Sequence, residues 1–259
     1  MRWQAITRYA LPMWASFVYL FLYTPIAILV VFSFNSSGSM HEWGGFTLKW
    51  YVELFRSPEI WRALQNTFLV ASVSVLLSLV MGVLFVYWGG RYRLDKFTGL
   101  FYAGVALPEI VIAVSLLSFF SFFSVPLGLT TLIAGHTLLG LGFVIPIIRT
   151  RYLELDYSLT EASLDLGASE VQTFFKIILP LLAPALVAGG LLVFILSLDD
   201  FLISFFCSGA TAQTLSLYIF GLIRLGVSPV INALSTLMLA ASSLLVLIFC
   251  SLKITNRGL

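Results

Sequence analysis

Tyr157-Ser158-Leu159-Thr160-Glu161-Ala162-Ser163-Leu164-Asp165-Leu166-Gly167-Ala168-Ser169-Glu170-Val171-Gln172 is a polar island between two long apolar runs. Ser158 and Glu161 have the S-x-x-E spacing of a capping box, which satisfies the free N–H groups at a helix start. Gly167 stands where that helix would end, because glycine takes the left-handed conformation without a Cβ penalty. Ser169 and Gln172 repeat the capping-box spacing and predict a second helix through Phe174-Phe175-Lys176-Ile177 towards Pro180. The stretch reads as helix, turn, helix. A mere connector needs only a few residues, and the segment 149–180 is much longer than that.

The surroundings of this island are greasy. The chain of 259 residues is 60% hydrophobic and only 10% charged, with a mean hydropathy of +1.03. A soluble domain carries about 25% charged residues, so there is too little polar surface here to cover a water-soluble globule. A net charge of +2 gives no reason to expect a nucleic-acid partner. Crossing about 30 Å of hydrocarbon takes about 20 mostly apolar residues. Runs of that kind place spans at about 11–34, 67–88, 100–123, 129–148, 181–206 and 231–252. The third and fourth share the run Phe97–Ile148, whose one charge is Glu109, and separate at Ser124-Val125-Pro126-Leu127-Gly128, where Pro and Gly disfavour a continuous helix. The first run, Ala10–Phe34, is longer than the apolar core of a signal peptide and no A-x-A site follows it; it reads as a retained span. The expectation is an all-α integral membrane protein, one domain over 1–259, in a lipid bilayer.

Lys and Arg set the orientation, since they accumulate on the cytoplasmic side. With the N-terminus inside, the inner segments hold Arg2, Arg8, Arg91, Arg93, Lys96, Arg149, Arg151, Lys176, Lys253 and Arg257, against Lys49, Arg56, Arg62 and Arg224 outside. Both termini are therefore expected in the cytosol, with the segment 149–180 on the inner face. The longest outer segment carries Trp43, Trp50, Tyr51 and Trp61. Indoles favour the membrane–water interface; the same residues could equally form a docking surface or outer gate, and Trp50 is assigned to the substrate pathway. Cys207 and Cys250 fall near opposite faces of the bilayer and read as apolar fillers.

Glu109, Asp199 and Asp200 lie within the proposed spans. A carboxylate at the bilayer centre costs about 2.5 to 3.5 kcal/mol on insertion scales, and such residues mark a pathway, a partner or a water-filled cavity. No basic residue is counted in an apolar core to pair with them, so the matching cation is expected from a partner subunit or from the substrate. Adjacent helical residues point about 100° apart. Asp199 is assigned to the pathway, and Asp200 to a pathway wall shared with a helix or subunit interface. Glu109 follows Pro108, which is expected to kink span three; it either lines the pathway, the assignment adopted, or hydrogen-bonds a neighbouring helix. His136, alone in span four, reads as a helix–helix hydrogen bond. No metal-ligating or catalytic constellation is present.

The island resembles the loop signature of permease subunits of bacterial ABC importers: Glu-Ala-Ala, three residues, Gly, nine residues, Ile, one residue, Leu-Pro. Glu161-Ala162-Ser163, Gly167, Ile177 and Leu179-Pro180 stand at those spacings. Ser163 replaces the second alanine. Ser197-Leu198-Asp199-Asp200-Phe201, Gly226-Val227-Ser228-Pro229 with Val230 to Leu234, and Leu48-Lys49-Trp50-Tyr51 with Asn66-Thr67 are similar to the spermidine/putrescine branch of that family. The resemblance implies the type I ABC importer permease fold. Glu161, Ala162, Ser163 and Gly167 would then belong to coupling helices seated in an ATPase subunit. It also implies two ATPase subunits that carry the ATP and Mg, a second homologous permease, an external polyamine-binding protein and a bacterial inner membrane. It further implies that this chain binds no cofactor and is not itself an enzyme. None of Lys49, Lys96, Lys176 or Lys253 follows a glycine, so the chain has no G-x-x-x-x-G-K-[ST] loop of its own. Permeation of another small cation, or ion-coupled secondary transport, are the rival expectations.

Overall fold

The computed structural model describes residues 2–38, 42–89, 94–225 and 229–255. In chain order the helices are α1 (Arg2–Phe32), α2 (Lys49–Arg56), α3 (Pro58–Gly89), α4 (Thr98–Ala106), α5 (Glu109–Phe122), α6 (Leu129–Leu153), α7 (Ser158–Asp165), α8 (Glu170–Thr173), α9 (Leu179–Asp199), α10 (Leu202–Cys207), α11 (Leu215–Leu225) and α12 (Pro229–Thr255). Arg91, Arg93, Arg257 and Gly226-Val227-Ser228, which figure in the sequence reading, lie outside the described residues.

The chain is all-α, as its composition requires. The stretch Leu11–Phe32 of α1, α3, α6 and the run Glu170–Asp199 are each long and apolar enough to cross a membrane. α12, at 27 residues, has the length to cross as well. Span three differs from the expectation. It is not one kinked helix over 100–123 but two helices, α4 and α5, bent by 115° at Leu107-Pro108. Proline has no N–H for the helical ladder and forces the preceding residue out of the α region; Leu107 accordingly sits at φ −74°, ψ 141°. Span five differs too. Its long helix stops at Asp199, Asp200 turns extended at φ −60°, ψ 127°, and α10 follows as a separate helix.

The helices group into two compact units, 1–60 with 219–259, and 61–218. In the first, α12 packs against α1 and α2. The segment between α1 and α2 is tied to itself through Asn35, which is 1% exposed. Its Nδ2 donates to the Glu42 carbonyl at 2.7 Å, and its Oδ1 accepts from the Gly44 N–H at 2.8 Å.

The second unit is built on α6, which packs against α4, α9 and α10. Val144, Ile145, Ile148, Ile178, Leu182 and Val193 form the apolar centre of one end; Val70, Ala113, Phe120, Leu132 and Ile203 form that of the other. Lipid supplies little hydrophobic drive between helices, so close approach and interhelical hydrogen bonds carry the association. Both are present between α3 and α6. Ser74 Oγ donates to the Ile133 carbonyl and Ser78 Oγ to the Thr137 carbonyl, each at 3.1 Å. Gly140 lets the backbones meet there: a Cβ on it would run into Ser78 Oγ and come within 2.8 Å of Val193 Cγ1. Many large apolar side chains on the outer faces of α3, α5 and α9 stay exposed, among them Leu76, Phe122 and Val187. That is the surface expected of a chain solvated by hydrocarbon.

Candidate functional site

The breaks in spans three and five put acids at one place. Glu109 is the first residue of α5, Asp199 the last of α9, and Asp200 leads into α10. All three line a cleft of about 350 Å³, together with Gly104, Val105, Leu107, Ile112, Leu139, Phe143, Leu196 and Phe201. Non-helical backbone at membrane depth is tolerated where it lines a cavity, and both breaks do so. The wall is apolar and partly aromatic, with carboxylates as its charged groups.

Their surroundings separate the three acids. Glu109 and Asp199 are exposed in this chain, whereas Asp200 is 5% exposed. Asp200 Oδ1 accepts from the Ile203 N–H at 3.2 Å and Oδ2 from the Ser204 N–H at 2.8 Å, so the carboxylate closes the first turn of α10 and faces the positive end of its peptide dipoles. Its own carbonyl accepts from Ser216 Oγ at 2.7 Å.

The sequence reading named no partner within the spans for these acids, and the structure supplies one. His136 of α6 is 1% exposed; its Nε2 lies 3.3 Å from Asp200 Oδ2, and its Nδ1 lies 2.7 Å from Ser197 Oγ of α9. His136 therefore makes a helix–helix hydrogen bond, and one end of that bond is a cleft acid. Counting only Lys and Arg missed it. Ser197, Asp200 and Ser204 stand three and four residues apart in a stretch whose one other polar residue is Asp199, a pattern that could have flagged the cluster.

Trp50 lies in the first unit, outside the set of cleft-lining residues. Its buried indole donates Nε1–H to the Asn35 carbonyl at 2.7 Å, and Lys49 Nζ stands 4.1 Å from its ring centroid. Ser33 Oγ and the Tyr51 hydroxyl are 2.7 Å apart beside it. The indole holds the segment between α1 and α2 together.

The polar island folds as two helices about a glycine turn. Gly167 has φ +84°. The Gly167 N–H donates to the Leu164 carbonyl and the Ala168 N–H to that of Ser163, the paired bonds of a Schellman ending. Ser169 and Gln172 form the expected capping box: the Ser169 N–H reaches Gln172 Oε1 at 3.0 Å and the Gln172 N–H reaches Ser169 Oγ at 3.3 Å. The first expected box does not form. Ser158 is already inside α7, and no side chain of its cap residue Tyr157 accepts a bond. Asp156 does that work instead, its Oδ1 accepting from the Ser158 N–H at 2.9 Å. A local aspartate takes the Ser158 N–H that the Glu161 side chain would hold in the expected box. The bond holds the Asp156 carboxyl below the usual carboxylate range, so the cap is intact at neutral pH and is lost only on acidification.

Ser163 faces inward. It is 8% exposed, and its Oγ lies 2.9 Å from Thr173 Oγ1, tying α7 to α8. Glu161 and Ala162 are exposed, as are Leu159, Leu164 and Leu166, with Leu166 at 88%. The second helix does not end before Pro180. α8 passes through the π turn into α9, making one run from Glu170 to Asp199. Pro180 has no N–H to give to Lys176, and an i→i+5 bond from Leu179 to the Phe174 carbonyl absorbs the mismatch. The island is thus in direct helical continuity with the acid end of the cleft.

One test of the turn follows. An L-residue in the left-handed region costs about 1–2 kcal/mol. Gly167→Val is expected to leave the spans intact but to loosen the α7–α8 angle, seen as faster proteolysis within 157–172 and unchanged thermal stability of the membrane-embedded part. Equal protease resistance in parent and variant would argue against the turn's importance.

Comparison with known proteins agrees with this arrangement. Residues 74–254 match the family "Binding-protein-dependent transport system inner membrane component". The spermidine/putrescine transport system permease protein PotC of Haemophilus influenzae is 39% identical over 244 residues, covering 93% of this chain and 94% of that one. The putrescine transport system permease protein PotI of Escherichia coli (strain K12) is 36% identical over 231 residues, covering 85% and 82%. Among solved structures, a chain of a bacterial ABC transporter involved in the import of the acidic polysaccharide alginate superposes with a TM-score of 0.75 at 16% identity, over 97% of this chain and 98% of that one. That last likeness concerns the fold alone. With apolar spans, a glycine-turned polar island between two of them and a carboxylate-lined cleft, the chain belongs to the binding-protein-dependent transport system inner membrane component family, as a multi-pass membrane permease subunit.

Proposed function

We propose that this permease forms half of the translocation pathway of an ATP-driven polyamine importer. The observation that carries the reading is the convergence of Glu109, Asp199 and Asp200 on one cleft with apolar and aromatic walls. A polyamine is a string of ammonium groups on an apolar stem. Spaced carboxylates suit its charges, the apolar wall suits its methylenes, and Phe143 and Phe201 offer faces for cation–π attraction. The relatives named for spermidine and putrescine support the same cargo.

Energy then comes from outside the chain. Two ATPase subunits would take the exposed apolar side chains of α7 and its turn, with Glu161 and Ala162 at the rim and Ser163 fixing the inter-helix angle from within. Closure of the ATPase pair on ATP would push on 157–172, and the unbroken run Glu170–Asp199 would carry the displacement to the cleft. A homologous second permease completes the pathway, and an external binding protein delivers the polyamine. The subunit resides in the bacterial inner membrane with both termini in the cytosol.

The test is uptake by proteoliposomes holding the whole importer. Labelled putrescine and spermidine should accumulate with ATP inside the ATPase-facing compartment and ionophores present, and not with a non-hydrolysable analogue. Broken helices around a site are also a feature of ion-coupled secondary transporters. Uptake driven by an ion gradient without ATP would favour that class and overturn this one.

A further inference from the structure

Asp200 has a double character. It belongs to the cleft wall, yet its side chain is fully covered and both oxygens are engaged inside the protein. Oδ1 takes the Ile203 N–H; Oδ2 takes the Ser204 N–H and faces His136 Nε2. His136 is held in turn, with Nδ1 on Ser197 Oγ at 2.7 Å and Nε2 at 3.4 Å from Ser204 Oγ. The imidazole is thus spanned between α9 and α10 from its seat on α6. The two backbone donors hold the carboxylate from the α10 side only. A side-chain partner behind Oδ2, buried and oriented by a second bond, turns it into the wall.

We propose that His136 is a positioning residue that sets the number of carboxylates the cleft presents to its cargo. It draws Asp200 away and leaves Glu109 and Asp199 as the two exposed acids. The inference rests on the polyamine reading of the same cleft. Two exposed carboxylates match a cargo with two ammonium groups. Releasing the third would favour a cargo with three.

The experiment measures the ratio of initial uptake rates for a triamine (spermidine) and a diamine (putrescine) in the complete importer. His136→Leu keeps the volume of the side chain and removes both bonds. It is expected to raise the triamine-to-diamine ratio about fivefold, the scale of one additional solvent-accessible ion pair. Asp200→Asn keeps one of the two helix-capping oxygens and has no charge to release, so in the double variant it cancels the effect of His136→Leu. Ser197→Ala, which deprives the ring of its orienting hydroxyl, shifts the ratio in the same direction by a smaller factor and serves where His136→Leu fails to assemble. A merely structural role would lower both rates together and leave the ratio fixed. An unchanged ratio in His136→Leu and Ser197→Ala, or a shift that persists in the double variant, overturns the proposal. A parent importer that moves neither amine strikes the cargo reading instead.

Discussion

Neutralising Glu109 and Asp199 together, as Glu109→Gln with Asp199→Asn, is expected to lower ATP-driven polyamine uptake by about a hundredfold, and each single substitution by about tenfold. A hydrogen bond to a charged group contributes about 1.5–3 kcal/mol, and screening at an open cleft brings that towards the lower end. Two independent contacts of about 1.4 kcal/mol multiply to the stated factor. Both side chains are exposed at the cleft and neither has a Lys or Arg partner within 4 Å among the described residues. Removing their charge therefore breaks no internal ion pair, and membrane insertion and thermal stability should hold. The readout is uptake rate at cargo concentrations well below saturation, with protein level measured in the same membranes. ATPase stimulation by the loaded binding protein should survive, because the island 157–172 is untouched. Parental uptake in the double variant at normal protein level would remove both residues from the pathway.

The contrast with Asp200 shows how far a sequence reaches in such a protein. Four of the six expected spans, those in α1, α3, α6 and Glu170–Asp199, follow from charge-free runs, because a bilayer imposes length and apolarity on each one separately. The turn at Gly167 and the Ser169–Gln172 box are legible because their partners lie within four residues. So is the presence of three acids where acids are costly. What the sequence hides is where a span stops being a helix. Asp199 and Asp200 sit in an apolar run with no glycine or proline between Gly190 and Gly209, yet the helix ends between them. Ile203 and Ser204 cap the break locally, but two further bonds that stabilise it come from His136 and Ser216, 64 residues before and 16 after. A helical wheel spaced the two acids by angle, whereas the chain separates them by leaving the helix. The Ser158–Glu161 box failed for a local reason of the opposite kind: Asp156 and Glu161 both lie within three residues of the Ser158 N–H, and the carboxylate of Asp156 takes it.

The largest structural effect is expected at Gly140. Gly140→Val is expected to abolish stable accumulation of the permease, or to lower its melting temperature in detergent by at least about 10 °C. The position lies where α6 meets α3 and α9. A Cβ there collides with Ser78 Oγ and comes within 2.8 Å of Val193 Cγ1, a separation that real Cβ atoms do not show. Ser78 cannot simply rotate away, since its hydroxyl donates to the Thr137 carbonyl at 3.1 Å. Val193 belongs to the packed centre of α6 and α9 and is 2% exposed. The helices must separate, and the Ser74–Ile133 bond on the same interface goes with them. Overpacking a core costs about 1–3 kcal/mol, and the loss of two interhelical hydrogen bonds adds about 0.6 kcal/mol each. Against a typical stability of about 5–15 kcal/mol, that is a large share. Gly99→Ala is the control. It lies in α4 with nothing within 4 Å of the added Cβ, and alanine is the better helix former, so it should leave the melting temperature unchanged or slightly raised. Equal melting temperatures for parent, Gly99→Ala and Gly140→Val would mean that α3, α6 and α9 do not approach as closely as this geometry requires.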